Sequence, residues 1–143
     1  MEIKSYTIAY KLVDNIIAAL KADIENLAFV KIRDAFSGDM YDSPTLSVTV
    51  AVGPHDTQIE RVLDPDTKQQ TGWLMTATVF ADIAMPVMQS TCDAWHTYLH
   101  IADNLSVSSV GGALVSTECG TPRFDRNSRA FITPTKFTFK LTV

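Results

Sequence analysis

Apolar side chains recur every three or four positions near the start of the chain. Over residues 5–27 they mark one helical face, which comprises Ile8, Leu12, Val13, Ile16, Ile17, Leu20, Ile24 and Leu27. Charged side chains such as Lys11, Asp14 and Lys21 point in other directions. The spacing predicts an amphipathic helix whose apolar face packs on the rest of the protein.

A period of two then predicts strands. A short strand is expected around residues 29–32, after which residues 36–44 have the composition of turns. Residues 45–52 alternate between larger aliphatic and small or polar side chains, which is typical of a strand with one buried face. We expect Gly53 and Pro54 to end this strand.

A long hairpin is predicted next. Residues 57–63 form a weaker strand, and residues 64–72 are a polar, turn-rich tip. Residues 73–85 alternate again, with one face formed by Trp73, Met75, Ala77, Val79, Ala81 and Ile83. The hairpin is therefore expected to protrude, while its second arm enters the main sheet.

Pro86 is predicted to begin a second helix, because its fixed φ suits the first helical position. This helix is expected to end near Asn104. Its apolar stripe, with steps of four and three, consists of Met88, Cys92, Trp95, Leu99 and Ala102.

The last third of the chain is predicted to be mostly strand. Gly111 and Gly112 interrupt the strand-like residues 107–117, which indicates a bulge or a close backbone approach. A polar loop is expected at residues 120–129. The closing strand alternates Phe137, Phe139, Leu141 and Val143 with lysines and threonines.

The order helix, strands, helix, strands predicts an α+β fold. Two amphipathic helices and a sheet with one apolar face bury each other as a two-layer sandwich. We expect a mainly antiparallel sheet, both helices on one face, and a protruding β-hairpin. Without an internal repeat or a linker, the 143 residues are expected to form one domain, 1–143.

Composition narrows the function classes. With 46% hydrophobic and 20% charged residues, the chain is typical of soluble globular domains, and it has no apolar run long enough for a membrane span. A net charge of −4 argues against a protein that mainly neutralises phosphates. The two cysteines, Cys92 and Cys119, form no CxxC pair, so a reduced, intracellular place of synthesis is expected.

The sequence contains little that supports a catalytic function. Cys92, His96 and His100 are spaced four and four along the second predicted helix, as three zinc ligands with an open fourth position would be. Cys92 also fits the apolar stripe, however, and no neighbouring base accompanies the three residues. No nucleophile motif or phosphate loop occurs, and Cys119 is expected to be inert. We therefore expect no enzyme, no cofactor and no metal, and leave open whether the three residues bind one.

A basic cluster in the 120–129 loop is a candidate contact surface. Arg123, Arg126 and Arg129 flank Phe124, and arginine and aromatic side chains are enriched at interfaces. The alternative is that these charges are solvated and balanced by Asp125 and Glu118.

The whole layout resembles that of the tail terminator proteins of long-tailed bacteriophages and related phage-derived particles. The similarity begins with the helix YKLVDNIIAALKADIENL, the strand PTLSVTVAV and the returning hairpin arm WLMTATVFADI. It continues with the helix after Pro86 and the closing segment RAFITPTKFTFKLTV. It covers nearly the full chain.

The resemblance implies a structural protein that caps the tail tube, ends its polymerisation and forms part of the head-tail junction as a hexameric ring. Its partners would be copies of itself, the tail tube protein and a head-tail connector protein, with DNA passing through the channel without specific binding. It would be made in the host cytoplasm and reside in the virion, without membrane contact. The alternatives are another head-tail connector or completion protein, or a small-ligand or metal-dependent enzyme.

A ring needs exposed parts for head-to-tail contacts. The hairpin tip and the arginine loop are the expected contact regions. Their candidate residues are Asp64, Asp66, Lys68, Arg123, Phe124, Arg126 and Arg129.

Overall fold

Two helices and seven strands make up the part of the chain that the computed structural model describes, which is residues 2–23, 30–35, 48–86, 94–107, 110–126 and 129–142. The helices are α1 (Glu2–Asp23) and α2 (Ala94–Val107). The strands are β1 (Val30–Asp34), β2 (Val48–Leu63), β3 (Gln70–Pro86), β4 (Ala113–Cys119), β5 (Arg123–Asp125), β6 (Ala130–Thr133) and β7 (Thr135–Thr142).

The long hairpin of β2 and β3 is the centre of the sheet. β1 pairs with β2 in parallel, and every other pairing among the described strands is antiparallel. On its other side, β3 pairs with β6 near Ile83 and with β7 around Val79. β5 then continues the sheet beyond β6, and β4 continues it beyond β7. The sheet is open and mostly antiparallel, as the alternating patterns predict.

One face of the sheet carries the core. In register across the centre, Val50 is opposite Ile83, and Val79 is opposite Phe137. All four side chains are at most 2% exposed. Full burial of an aliphatic or aromatic side chain stabilises a fold by about 1.5–3 kcal/mol. Both helices contribute buried residues to this one cluster, which confirms the α+β fold with its helices packed on one apolar face.

α1 presents the face that its spacing predicts. Leu12, Val13, Ile16 and Leu20 are at most 2% exposed. On the flank of that face, the side-chain amide of Asn15 donates to the carbonyl oxygen of Val110 at 3.0 Å, which joins the helix to the segment before β4. The predicted continuation of the helix to residue 27 lies outside the described residues.

The expectation that Gly53 and Pro54 end the second strand is wrong. β2 runs through both residues to Leu63, with a register shift between Pro54 and Asp56. The pairing of β1 with β2 ends at Val52, so Pro54 lies beyond that partner and beside a bulge. Within sheets proline is confined to edge strands, strand ends and bulges, and Pro54 fits this rule.

The expectation that Pro86 begins the second helix is also wrong. Pro86 is the last residue of β3 and lies opposite Ala130 of β6. Strand pairing across more than forty positions of sequence fixes its conformation here, and the local proline signal does not reveal it. Within the described residues α2 begins at Ala94, and it ends at Val107 rather than near Asn104.

α2 also buries a different stripe from the predicted one. Its buried residues are Thr97, Tyr98, Ile101 and Leu105. Trp95 and Leu99, predicted to be in the core, are 57% and 43% exposed. Met88 and Cys92 lie outside the described residues. Both stripes have helical spacing, so the choice between them is made by packing against the sheet.

The prediction of a bulge or a close backbone approach at Gly111 and Gly112 is partly confirmed. Gly111, at φ 102°, and Gly112 form a bend before β4 rather than a bulge within it, and the register shift falls between Leu114 and Ser116. A Cβ on Gly112 would lie 2.8 Å from Cγ of Leu141, which confirms a close approach at this position. The predicted polar loop 120–129 contains β5, because these residues pair with β6.

Candidate functional site

The arm, residues 55–73, comprises the outer part of β2, the tip and the first residues of β3, and its residues 61–73 extend beyond the rest of the sheet. Every residue of β2 from 55 to 63 is exposed. β7 pairs with β3 only up to Leu74, so among the described strands residues 61–63 and 70–73 pair only with each other. This confirms a protruding hairpin whose second strand enters the main sheet.

The tip of the arm is a turn organised around Asp64. Its Oδ1 accepts backbone N–H groups from Asp66 at 2.8 Å and Thr67 at 3.2 Å, and these bonds lower the pKa of its carboxyl group. Its carbonyl oxygen accepts the N–H of Lys68, whose φ is 60°, and its own N–H donates to Gln69. Asp64 therefore stabilises the turn, while the side chains of Asp66 and Lys68 are exposed.

The surface of the arm is acidic with apolar positions between the charges. The arm has four carboxylates and two cations. The carboxylates are Asp56, Glu60, Asp64 and Asp66, and the cations are Arg61 and Lys68. Its exposed aliphatic side chains are Ile59, Val62 and Leu63, at 37–44% exposure. The charges of such a surface can guide a partner's approach, and its apolar side chains can be buried in the contact.

β5 and β6 form an exposed edge of the sheet, the arginine hairpin (residues 123–126 and 129–132). Phe124 and Phe131 are opposite each other in register, with ring centroids 5.4 Å apart in an edge-to-face arrangement. They are 52% and 46% exposed. Arg123, Arg126 and Arg129 are all exposed, and Arg129 has a φ of 53°.

The pairing of β5 with β6 places two aromatic rings side by side on the surface of this hairpin. The sequence indicated an exposed Phe124 but missed Phe131, because only the pairing of β5 with β6 brings the second ring beside the first. The hairpin presents two aromatic rings and three guanidinium groups.

The predicted contact residues fall into two groups rather than one. The arginine hairpin joins β3 at Ile83–Pro86, whereas the arm includes the other end of β3, from Gln70. At 3.3 Å per residue, Gln70 beside the tip of the arm and Ile83 beside the arginine hairpin are about 40 Å apart along the strand. Asp64, Asp66 and Lys68 are thus at one end of the molecule, and Arg123, Phe124, Arg126 and Arg129 are at the other.

The outer side of α2 is a third exposed surface, which the sequence analysis missed. Trp95 and Leu99 are one turn apart there and are exposed. Beside them, Nε2 of His96 and Nε2 of His100 are 3.1 Å apart, and both rings are exposed. Cys92, the third member of the predicted metal-binding trio, lies outside the described residues.

An open depression of about 240 Å³ lies across β2, β3, β7 and β4. Its lining is polar and comprises His55, Asp56, Thr78, Ser116, Thr117, Glu118, Lys136 and Thr138. Small-molecule sites are usually larger and mostly apolar. In the described ranges, no three or more histidine, cysteine, aspartate or glutamate residues are grouped so that they could hold a metal ion.

Burial raises the pKa of two side chains. One is the Cys119 thiol, whose ordinary pKa of 9.0 is raised further, so the thiol is protonated near neutral pH. The other is the Asp82 carboxyl group on β3. No helix of the described part is both long and apolar enough to span a membrane.

No protein-family model matches the sequence, and no curated protein matches it. Solved structures do match. One of them is the sheath/tube terminator of PVC, an extracellular contractile injection system, determined by cryo-electron microscopy in the extended state. The sequences are 11% identical, the TM-score is 0.42, and the alignment covers 94% of this chain. It covers 56% of the other chain, so this protein spans just over half the length of that terminator.

Proposed function

We propose that this protein is a structural subunit that caps a phage-like tail tube, ends its polymerisation and forms part of the head-tail junction as a ring. The resemblance of its sequence to tail terminator proteins supports this role. So do two features of the fold, the helices on one face of the sheet and the protruding hairpin.

The observation that carries the proposal is the pair of unlike exposed surfaces at opposite ends of β3, the arm and the arginine hairpin. In a head-to-tail ring, each copy uses one surface to contact the previous copy and a different surface to contact the next. The arm and the arginine hairpin suit this arrangement, since they differ in shape and charge, and the tip of the arm is about 40 Å from the hairpin along β3.

The arm and the arginine hairpin are complementary in charge, and both carry apolar side chains. The arm has two more carboxylates than cations, and the arginine hairpin has three arginines against Asp125. Ile59, Leu63 and Phe124 would supply apolar area to the contact. Opposite charges guide encounter and exclude wrong partners, and the apolar area supplies most of the affinity.

The proposed ring has six copies, with the tail tube protein and a head-tail connector protein as its partners in the virion. Six copies at −4 each carry a charge of −24. A channel that does not attract phosphates would let DNA pass without specific binding.

Charge reversal tests the contact. In one variant Glu60→Lys and Asp66→Lys reverse the arm, and in another Arg123→Glu and Arg126→Glu reverse the hairpin. At high concentration, light scattering should give the wild type a mass near six times 15.8 kDa. Each variant should dissociate toward monomer, and a chain carrying all four changes should assemble again. Lys21→Glu, on the exposed side of α1, is the matched control and should assemble normally.

Three results would contradict the proposed contact. One is a monomer at every concentration that also fails to bind tube protein. Another is failure of the fourfold variant to reassemble although its circular dichroism is native. A mass that stops at a dimer would indicate a two-fold contact, in which the same surfaces meet their own copies.

The role itself is tested in particles assembled without the protein. Electron microscopy should show overlong tails if the protein ends polymerisation. Tails of normal length on heads that leak DNA would instead support a head-completion or connector protein, which is the alternative role.

A further inference from the structure

The histidine pair on α2 has the geometry of a chelate. His96 and His100 are four residues apart, so they lie one above the other on the same side of the helix. Their Nε2 atoms are 3.1 Å apart, and the ring centroids are 4.6 Å apart. In the structure one imidazole donates a hydrogen bond to the other between these atoms.

The separation fits a single metal ion between the two rings. Imidazole nitrogen binds zinc at about 2.0–2.1 Å. Two nitrogens at that distance from one ion lie about 2.9 Å apart at a right angle and about 3.4 Å apart at the tetrahedral angle. The observed 3.1 Å falls between these limits, so the two rings need little movement.

We propose that His96 and His100 form a bidentate site on the outer side of α2 for a divalent transition metal such as Ni(II), Cu(II) or Zn(II). The metal replaces the hydrogen bond between the rings. Both imidazoles are neutral and coordinate it through Nε2, and water fills the remaining coordination positions. Imidazole favours these ions, whereas Mg(II) prefers oxygen ligands. Both rings are exposed, so the ion enters directly from solvent.

The site is independent of the proposed role in tail assembly, because it involves neither the arm nor the arginine hairpin. Its strength comes from the second histidine. Once one ring holds the ion, the other is already in place, so its binding is an intramolecular step with a high effective concentration.

Calorimetric titration of the full chain with nickel sulfate tests the site. The wild type should bind one Ni(II) per chain, and His96→Ala or His100→Ala should weaken binding on the order of 100-fold. His55→Ala is the matched control, since His55 is the third histidine and lies exposed on β2. It should bind like the wild type. Mn(II) should bind more weakly than Ni(II), and Mg(II) should not compete.

The double variant lacking both histidines measures binding by all other groups. Alanine is the best helix former and both positions are exposed, so each variant should keep the circular dichroism of the wild type. If the wild type binds Ni(II) no more tightly than the double variant, the proposal is overturned. A loss of binding in His55→Ala equal to that in His100→Ala would overturn it as well.

Discussion

Phenylalanine occupies two opposite environments in this protein. Phe137 and Phe139 are 1% and 0% exposed and lie on the core face of β7. Phe124 and Phe131 are about half exposed and pack mainly against each other. Burial therefore decides whether a ring stabilises the fold or remains available for a contact.

Phe139→Ala should lower the free energy of unfolding by about 3–5 kcal/mol, because it leaves a cavity under the helix layer. Phe124→Ala is the matched control and should lower it by about 1 kcal/mol, the value of an aromatic pair. Urea unfolding measures both, with the change expected in the midpoint at constant slope. Equal losses in the two variants would contradict the assignment of Phe139 to the core.

Asp64 gives the tip of the arm a pH dependence. Two backbone N–H groups favour its ionised form, so its pKa in the folded protein lies below the ordinary 3.8. The stabilisation is complete above the unfolded pKa and is lost as the pH falls through the folded pKa. A carboxyl ¹³C titration should therefore give a midpoint below 3.8 for this residue.

In the same titration the amide protons of Asp66 and Thr67 should become less protected as Asp64 is protonated. Asp64→Asn is the control, since its side-chain oxygen can still accept both N–H groups but does not titrate in this range. A midpoint at or above 3.8 would show that the carboxylate does not hold the turn in solution.

At the scale of elements, α2 shows the limit of a periodic pattern. Two apolar stripes with helical spacing run along it, one with Trp95 and Leu99 and the other with Tyr98, Ile101 and Leu105. The second is buried because Tyr98 fits between the helix and the sheet, with its ring 5.8 Å from that of Phe137. The spacing shows that α2 has apolar faces. The fit of its side chains against the sheet decides which of these faces is buried.

A hydrogen bond between the hydroxyl groups of Tyr98 and Thr117 joins α2 to β4. Tyr98→Phe removes it but keeps the ring, and should cost about 0.5–1.5 kcal/mol of unfolding free energy. The measurement is a double-mutant cycle with Thr117→Val by urea unfolding. In the Tyr98→Phe background, Thr117→Val should have less effect than in the wild type. Additive losses would show that the bond contributes nothing.

At the scale of the whole molecule, pairing along β3 separates the tip of the arm from the arginine hairpin. β6 and β7 follow one another along the same edge of β3, with the arginine hairpin at one end and the arm beyond the other. The exposed side chains of the arm and of the arginine hairpin can therefore meet a neighbouring copy without disturbing the core.

The proposed contact between copies should weaken as salt rises, because its charges are exposed. Raising the ionic strength from 0.1 M to 1 M shortens the Debye length from about 10 Å to about 3 Å. Sedimentation velocity should show less assembly at the higher salt. Arg126→Gln should assemble less at low salt and respond less to added salt. Assembly that strengthens with salt would indicate a contact dominated by apolar area instead.

The sequence alone determined much of this fold. Apolar periods of 3.6 and 2 gave α1, the core face of β3 and the alternation of β7, because each element must bury one face. They also gave the protruding arm. Tip residues such as Asp64 were identified as a turn, since their geometry depends on neighbours in sequence.

Only the tertiary structure decided the features that depend on distant partners. Pro86 belongs to β3 because Ala130 lies beside it, and Phe131 joins Phe124 because β5 pairs with β6. Likewise, Trp95 is exposed because another face of α2 fits the sheet. Local spacing shows which faces of an element are apolar. The free energy of packing depends on which of these faces meet, and contacts between residues far apart in the chain determine that choice.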